Sequence, residues 1–229
     1  MKLLLTAAGV KNQAIHRALV ALLPRPIEEC VALAIPTASY GHAPRGIGGA
    51  LRFLTNQSPT PMMGLGWKSI GLLELTALPS LAREQWLPLV EEADVFLVNG
   101  GDALYLAHWM RESGLADLVP TLESVWLGLS AGSMVMTPRI GADFMQWQPI
   151  SGNDHTLGLV DFHICPHVNG DDKPGNTMAE AEAWAANIDG PCYIMDDETA
   201  IQVVDGKVDV ISEGTWKLVD GGASSSNES

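Results

Sequence analysis

Short, mostly apolar segments recur along this chain, and a stretch with helical periodicity follows nearly every one of them. Four of these segments are Leu3–Ala7, Cys30–Ile35, Asp94–Val98 and Val125–Leu129. Strands that are apolar on both faces must be covered on both faces, which is typical of a parallel sheet between two layers of helices. We therefore predict an α/β fold with a mostly parallel sheet and helices on both of its faces.

The C-terminal part of the sequence has a different pattern. Ala200–Val204 and Val208–Ile211 flank an Asp-Gly pair, which predicts an antiparallel hairpin. A chain of 229 residues that is 47% hydrophobic suits a single domain with a sizeable core. We expect one domain over residues 1–220, followed by a disordered Gly/Ser-rich tail at 221–229.

Composition excludes several classes of partner. The formal net charge is −14, from 27 acidic against 13 basic residues, and the basic residues are scattered. Nucleic acids and anionic membrane surfaces bind clustered Lys and Arg, so neither is an expected partner. The three cysteines lie far apart, so we expect no disulfide framework, no metal and no cofactor. No apolar run reaches the roughly 18 residues that span a bilayer, so we expect a cytoplasmic monomer or homodimer.

The sequence Gly128-Leu129-Ser130-Ala131-Gly132 follows directly on an apolar strand. This pattern is typical of a nucleophile elbow, a sharp strand-to-helix turn that holds a serine hydroxyl above the edge of a sheet. Glycines flank the serine there because a Cβ would collide with the neighbouring strand and helix. Ser130 is therefore the candidate nucleophile.

A serine nucleophile needs a base and an oxyanion site. His167 is the best candidate base, since it follows a predicted strand, Leu157–Pro166, at the edge where the elbow is expected. The pair Gly100-Gly101 ends another strand, so the N–H groups of Gly101 and Ala131 are candidate oxyanion donors. We expect Gly100 and Asp102, in the same turn, to contact the substrate.

The acid that orients His167 is less clearly specified. We favour Asp143, because it lies in the loop after the elbow and the order Ser, Asp, His occurs in other elbow enzymes. The alternatives are Asp154, Asp161, Asp197 and Glu198.

These motifs together resemble the peptidase E family, serine dipeptidases related to cyanophycinase. The resemblance rests on four segments, in the family's order: Val98–Asp102, Gly128–Ser133, Cys165–His167 and Asp196–Ala200. It implies a class I glutamine amidotransferase-like α/β sandwich, Ser130 as nucleophile, His167 as base, and Gly101 and Ala131 as oxyanion donors. It also implies a small peptide as substrate.

One position departs from that family. Its aspartyl dipeptidases carry an arginine on the helix after the histidine, where this chain has Met178. Lys173 or Arg139 are the available replacements. The departure makes cleavage after aspartate doubtful, so the sequence leaves the substrate side chain open.

Two other functions stay open. The first is hydrolysis of a small amide other than a peptide, on the same fold. The second is metal binding, because His163, Cys165 and His167 alternate along one predicted strand and could face the same way.

Overall fold

The computed structural model describes residues 1–44, 46–59, 61–149, 151–170 and 175–222. Its strands are β1 Lys2–Thr6, β2 Val31–Ile35, β3 Ser69–Leu72, β4 Val95–Val98, β5 Val125–Leu129, β6 His163–Cys165, β7 Gly190–Met195, β8 Thr199–Val204, β9 Lys207–Ser212 and β10 Trp216–Gly221. Its helices are α1 Gln13–Leu22, α2 Gly46–Leu54, α3 Arg83–Glu92, α4 Ala103–Glu112, α5 Leu115–Leu118, α6 Ala131–Met134 and α7 Met178–Ala185. Short 3-10 helices occupy Ile27–Glu29, Thr37–Gly41, Leu78–Ser80, Val119–Thr121 and Ala142–Phe144.

Seven strands form the central sheet, in the order β3-β2-β4-β5-β1-β8-β9. The first five strands pair in parallel, β8 runs antiparallel to β1, and β9 runs antiparallel to β8. The predicted parallel sheet and the predicted C-terminal hairpin are both confirmed. Because β2, β4, β5 and β1 are parallel neighbours, the loops after them meet along one edge of the sheet.

Helices cover both faces of this sheet, as the apolar strands require. Leu3 and Leu5 of β1 pack on one face with residues of α3, α4 and α6. Leu4, between them, packs on the other face with residues of α1 and α2. Successive side chains of a strand point to opposite faces, so a strand buried on both sides has to be apolar throughout.

A second, three-stranded sheet has the order β10-β7-β6, with β6 parallel and β10 antiparallel to β7. Helix α7 packs on it through Ala181, Trp184 and Ala185. The predicted strand Leu157–Pro166 was too long, because only His163–Cys165 pairs as β6. Gly221, which was expected to begin the tail, belongs to β10, and residues 223–229 lie outside the described residues.

Within the described ranges, no helix combines the length and the apolar character needed to cross a membrane. Cys30, Cys165 and Cys192 are buried, and none forms a disulfide.

Candidate active site

Ser130 lies at the apex of a strained turn between β5 and α6. Its backbone angles are φ 51° and ψ −109°, a conformation that residues other than glycine rarely adopt. A Cβ added to Gly128 would collide with the carbonyl of Gly132, and one added to Gly132 would lie 2.5 Å from the carbonyl oxygen of Val98. The two glycines of the motif are therefore needed for close backbone packing around the serine.

Hydrogen bonds to the end of β1 hold this turn in place. The Ser130 N–H donates to the carbonyl oxygen of Thr6 at 3.0 Å, and the Ser133 hydroxyl donates to the same oxygen at 2.8 Å. The Ser130 carbonyl accepts from the N–H of Met134 at 2.9 Å. These hydrogen bonds to a central strand hold Ser130 in its strained conformation. They keep the serine at the carboxyl edge of the sheet.

Both residues predicted to supply oxyanion donors line the same small cavity as Ser130. Gly101 and Ala131 line this cavity of about 70 Å³, which we call the nucleophile cavity. Among the described residues, neither N–H donates to an acceptor. Gly101 has φ 151°, and a Cβ there would collide with the carbonyl of Ala38, so only glycine fits. Buried N–H groups normally have partners, so two unpaired ones in one cavity suit a substrate oxyanion.

His167 lies at the other side of the site and is bonded to Asp197. Its Nδ1 is 2.6 Å from Asp197 Oδ1, and the histidine is 8% exposed. An ionised carboxylate can only accept, so Nδ1 carries the proton and Nε2 is the nitrogen that can act as a base. Pro166, next to His167, lines the nucleophile cavity with Ser130. No hydrogen bond joins Ser130 Oγ to His167 here; such catalytic bonds often tighten only when substrate binds.

The turn between β7 and β8 presents Asp197. Asp196 Oδ1 accepts from the N–H of Glu198 at 3.0 Å and from the Thr199 hydroxyl at 2.8 Å. The N–H of Val168, next to the histidine, donates to the carbonyl of Met195 at 3.0 Å. Both partners of the His167–Asp197 pair are therefore anchored to the end of β7.

The favoured acid of the sequence analysis, Asp143, does not hold His167. Asp143 is exposed on the wall of a larger groove, and the carboxylate on Nδ1 is Asp197, one of the alternatives. Asp154 instead accepts from Arg139 Nε at 3.0 Å and from the N–H of Gly141 at 2.8 Å.

The other two candidate acids are also placed elsewhere. Asp161 is exposed, and Glu198 accepts from Asn12 at 3.0 Å. The signal for Asp197 was its place in the Asp196–Ala200 motif.

Polar atoms of Gly100 and Asp102, the two residues expected to contact the substrate, have hydrogen-bond partners within the protein. The N–H of Gly100 donates to Asn99 Oδ1, and its carbonyl accepts from the Ser39 hydroxyl. Asp102 is 3% exposed, and its two carboxylate oxygens accept from the N–H groups of Tyr105 and Trp147, each at 2.8 Å. Burial raises the pKa of the Asp102 carboxyl, although these N–H groups oppose the rise. Asp102 is a helix cap and a loop anchor, because its polar atoms are used internally.

The alternating His163, Cys165 and His167 do not form a metal site. The ring nitrogens of His163 lie 3.0 Å and 3.1 Å from the carbonyl oxygens of Arg139 and Asp189. Both ring nitrogens of His163 therefore lie against backbone carbonyl groups. Within the described residues, no group of three or more His, Cys, Asp or Glu side chains could hold a metal ion.

A groove of about 490 Å³ adjoins the nucleophile cavity, and we call it the acidic groove. Its charged lining residues among those described are Asp143 and Glu180. Hydrogen bonds from the amide and the hydroxyl of Thr177 lower the pKa of Glu180, which keeps this side chain ionised. Three residues line both spaces: His42, Phe144 and Gln146. The sequence analysis did not single out His42, which follows β2 and the 3-10 helix Thr37–Gly41.

One of the two proposed replacements for the family's arginine, Arg139, is already paired within the protein. Arg139 forms an ion pair with Asp154 at 3.0 Å, and Lys173 lies outside the described residues. Met178 begins α7 and packs against the core of the second sheet.

Comparisons with known proteins agree on one family. The sequence profile of Peptidase family S51 matches residues 3–211. A crystal structure from Listeria monocytogenes EGD-e, described as a candidate peptidase E, is 18% identical. The match covers 93% of this chain and 98% of that one, with a TM-score of 0.67. A peptidase from an acI-B1 Actinobacterium is 21% identical over 96% of this chain and 94% of that one, with a TM-score of 0.57. No curated protein sequence matches the chain.

Proposed function

The chain belongs to Peptidase family S51, and on that premise we propose that it hydrolyses a dipeptide or small peptide through an acyl-enzyme on Ser130. The observation that carries this proposal is the nucleophile cavity, where a strained serine meets the unpaired N–H groups of Gly101 and Ala131. This arrangement suits acyl transfer, because the negative charge that develops on the carbonyl oxygen finds donors already in place.

In the proposed mechanism, Ser130 Oγ attacks the peptide carbonyl carbon while Nε2 of His167 takes the hydroxyl proton. The N–H groups of Gly101 and Ala131 bind the oxyanion, and each such donor contributes about 10²–10³-fold in rate. The C–N bond then breaks, and His167 gives the proton to the departing amine. A water molecule, deprotonated by His167, hydrolyses the ester and restores Ser130.

Asp197 has the orienting role in this mechanism. Its bond to Nδ1 fixes the tautomer in which Nε2 can accept the serine proton. As a carboxylate, it also stabilises the imidazolium that forms after proton transfer.

The substrate side chain that occupies the acidic groove is expected to be neutral or basic. Asp143 and Glu180 line the acidic groove beside the nucleophile cavity, and an acidic side chain placed there would be repelled. This expectation agrees with Met178 at the position where the aspartyl dipeptidases carry an arginine.

A panel of dipeptides tests the proposal, with aspartyl, lysyl and alanyl residues at the N-terminus and released amino acids as the readout. Ser130→Ala should abolish turnover and labelling by a serine-directed fluorophosphonate. Ser133→Ala is the matched control for the second serine of the motif; its hydroxyl is buried and bonded to Thr6, so labelling should persist. Turnover that survives in Ser130→Ala would contradict the mechanism. Labelling of Ser130 without cleavage of any dipeptide would favour another small amide as substrate.

A further inference from the structure

A second polar pocket lies at the carboxyl edge of the sheet, on the opposite side of the glycine turn from α4. It has a volume of about 260 Å³ and is lined by Ser39, Gly49, Arg52, Ser58, Pro59 and Asn99. We call it the arginine pocket. Ser39 and Asn99 follow β2 and β4, and Arg52 is on α2. The pocket therefore lies at the ends of β4, which neighbours β5 and its Ser130, and of β2, the next strand beyond β4.

The floor of this pocket is bonded to the turn that carries the oxyanion donor. Asn99 Nδ2 donates to Ser39 Oγ at 2.8 Å, and Ser39 Oγ donates to the carbonyl of Gly100 at 3.2 Å. Ser39 and Asn99 are 0% and 5% exposed, so this floor is fixed. A Cβ added to Gly100 would lie 3.3 Å from Cβ of Ser130. The pocket residues are thus bonded to Gly100, and Gly100 has no room for a side chain on the side of Ser130.

Arg52 differs in its charge environment from two other arginines of the chain. Arg25 is paired with Asp94 at 3.1 Å, and Arg139 is paired with Asp154 at 3.0 Å. In the part of the chain that the structure describes, Arg52 has no carboxylate within ion-pair distance, although the chain has 27 acidic residues and a net charge of −14. Its side chain is exposed and reaches a concave, polar surface. A guanidinium in such a place matches the planar geometry of a carboxylate and binds it through two parallel hydrogen bonds.

We propose that Arg52 is a specificity-determining residue that binds a carboxylate of the substrate in the arginine pocket. This inference rests on the proposed function in that the ligand is the peptide held at Ser130. Two carboxylates of a short peptide have the required chemistry: the C-terminal carboxylate and an acidic side chain. The acidic groove and the arginine pocket carry opposite charges, which suits a short peptide with free ends.

Binding to the Ser130→Ala protein tests this without turnover, using isothermal titration calorimetry. Four probes separate the two sources of the carboxylate: alanyl-leucine, its C-terminal amide, aspartyl-leucinamide and asparaginyl-leucinamide. A preference for alanyl-leucine over its amide indicates the terminal carboxylate, and a preference for the aspartyl over the asparaginyl amide indicates the side chain. We expect a preference of about tenfold to a hundredfold for the probe with the recognised carboxylate.

Arg52→Met should remove that preference, and Arg52→Lys should restore part of it because the charge returns without the planar fork. Arg17→Met is the matched control, since Arg17 is an exposed arginine on α1 that does not line the pocket. In the protein with Ser130 intact, Arg52→Met should raise KM and leave kcat nearly unchanged.

A carboxylate preference that persists in Arg52→Met, or binding of none of the four probes, overturns the proposal. Failure of the proposed function gives a different result. In that case the wild-type protein cleaves no dipeptide, while binding of the carboxylate to Arg52 remains measurable.

Discussion

Replacing Asp197 by asparagine removes the charge of the carboxylate that bonds to His167 and keeps its size. The carboxylate can only accept, so it holds the proton on Nδ1, whereas an amide can also donate to Nδ1 and favour the other tautomer. With the proton on Nε2, His167 cannot take the proton of Ser130. We therefore expect Asp197→Asn to lower kcat far more than it changes KM.

The expected loss in kcat can be derived from the hydrogen bond between His167 Nδ1 and Asp197 Oδ1. It is 2.6 Å long and joins a carboxylate to a histidine that is 8% exposed. A hydrogen bond to a charged group contributes about 1.5–3 kcal/mol, which corresponds to about tenfold to 150-fold in rate. The wrong tautomer adds to this, and the same replacement in the trypsin-type triad lowers kcat by about 10⁴-fold. We expect a loss of about 10²–10⁴-fold in kcat.

Steady-state kinetics on the best dipeptide of the panel provide the assay, with Asp143→Asn as the matched control. Asp143 is exposed in the acidic groove and does not touch His167, so its replacement should change kcat by no more than about threefold, or roughly 0.7 kcal/mol. A large loss of kcat in Asp143→Asn with a small loss in Asp197→Asn would refute this assignment of the acid.

Three further perturbations test the surrounding structure. Gly101→Ala places a Cβ against the Ala38 carbonyl, so the oxyanion donor should shift and kcat should fall by about 10²–10³-fold while the protein stays folded. Asp102→Asn keeps the helix cap but loses the acceptor for the N–H of Trp147, which should cost about 1–3 kcal/mol in the free energy of unfolding. Burial raises the folded-state pKa of Asp102, so the free energy of unfolding of the wild type should increase relative to that of Asp102→Asn as the pH falls from neutral. Below about pH 3.9, the unfolded-state pKa, the difference between the two free energies should become constant, and urea unfolding measures both. Burial raises the pKa of Cys192 to about 11, so this thiol should react with a disulfide reagent at pH 8 only after unfolding; rapid reaction in the native protein would contradict that placement.

The sheet could be predicted because each of its central strands is a short apolar run followed by a helix. The predicted strand Leu157–Pro166 was too long because an apolar run does not always form a strand and can pack elsewhere in the core. The N–H groups of Leu157 and Leu159 donate to the carbonyls of Val135 and Met136, just after the elbow helix. Gly158, with φ 65°, breaks the extended conformation between them. This part of the run packs on the elbow segment, and only its end joins a sheet.

The strained turn at Ser130 and the glycine turn at Gly101 could be predicted because a local chain geometry produces their signal. An elbow and a glycine turn need glycine at fixed positions, whatever the rest of the fold does. The partner of His167 has no such local requirement. Asp143 and Asp197 are both carboxylates in loops, and chain order alone favoured the wrong one. Arg52 gave no sequence signal, because nothing near it in the chain indicates a site.

The partner of His167 has no local signal because two different sheets contribute to the site. Ser130 ends a strand of the seven-stranded sheet, whereas His167 follows β6 of the three-stranded sheet. Asp197 lies in the turn by which the chain leaves β7 of the second sheet and enters β8 of the first. That turn is the covalent link between the two sheets at this point, and Asp196 and Thr199 fix its shape. The carboxylate bonded to His167 therefore lies in the segment that joins the sheet of β7 to the sheet that carries Ser130.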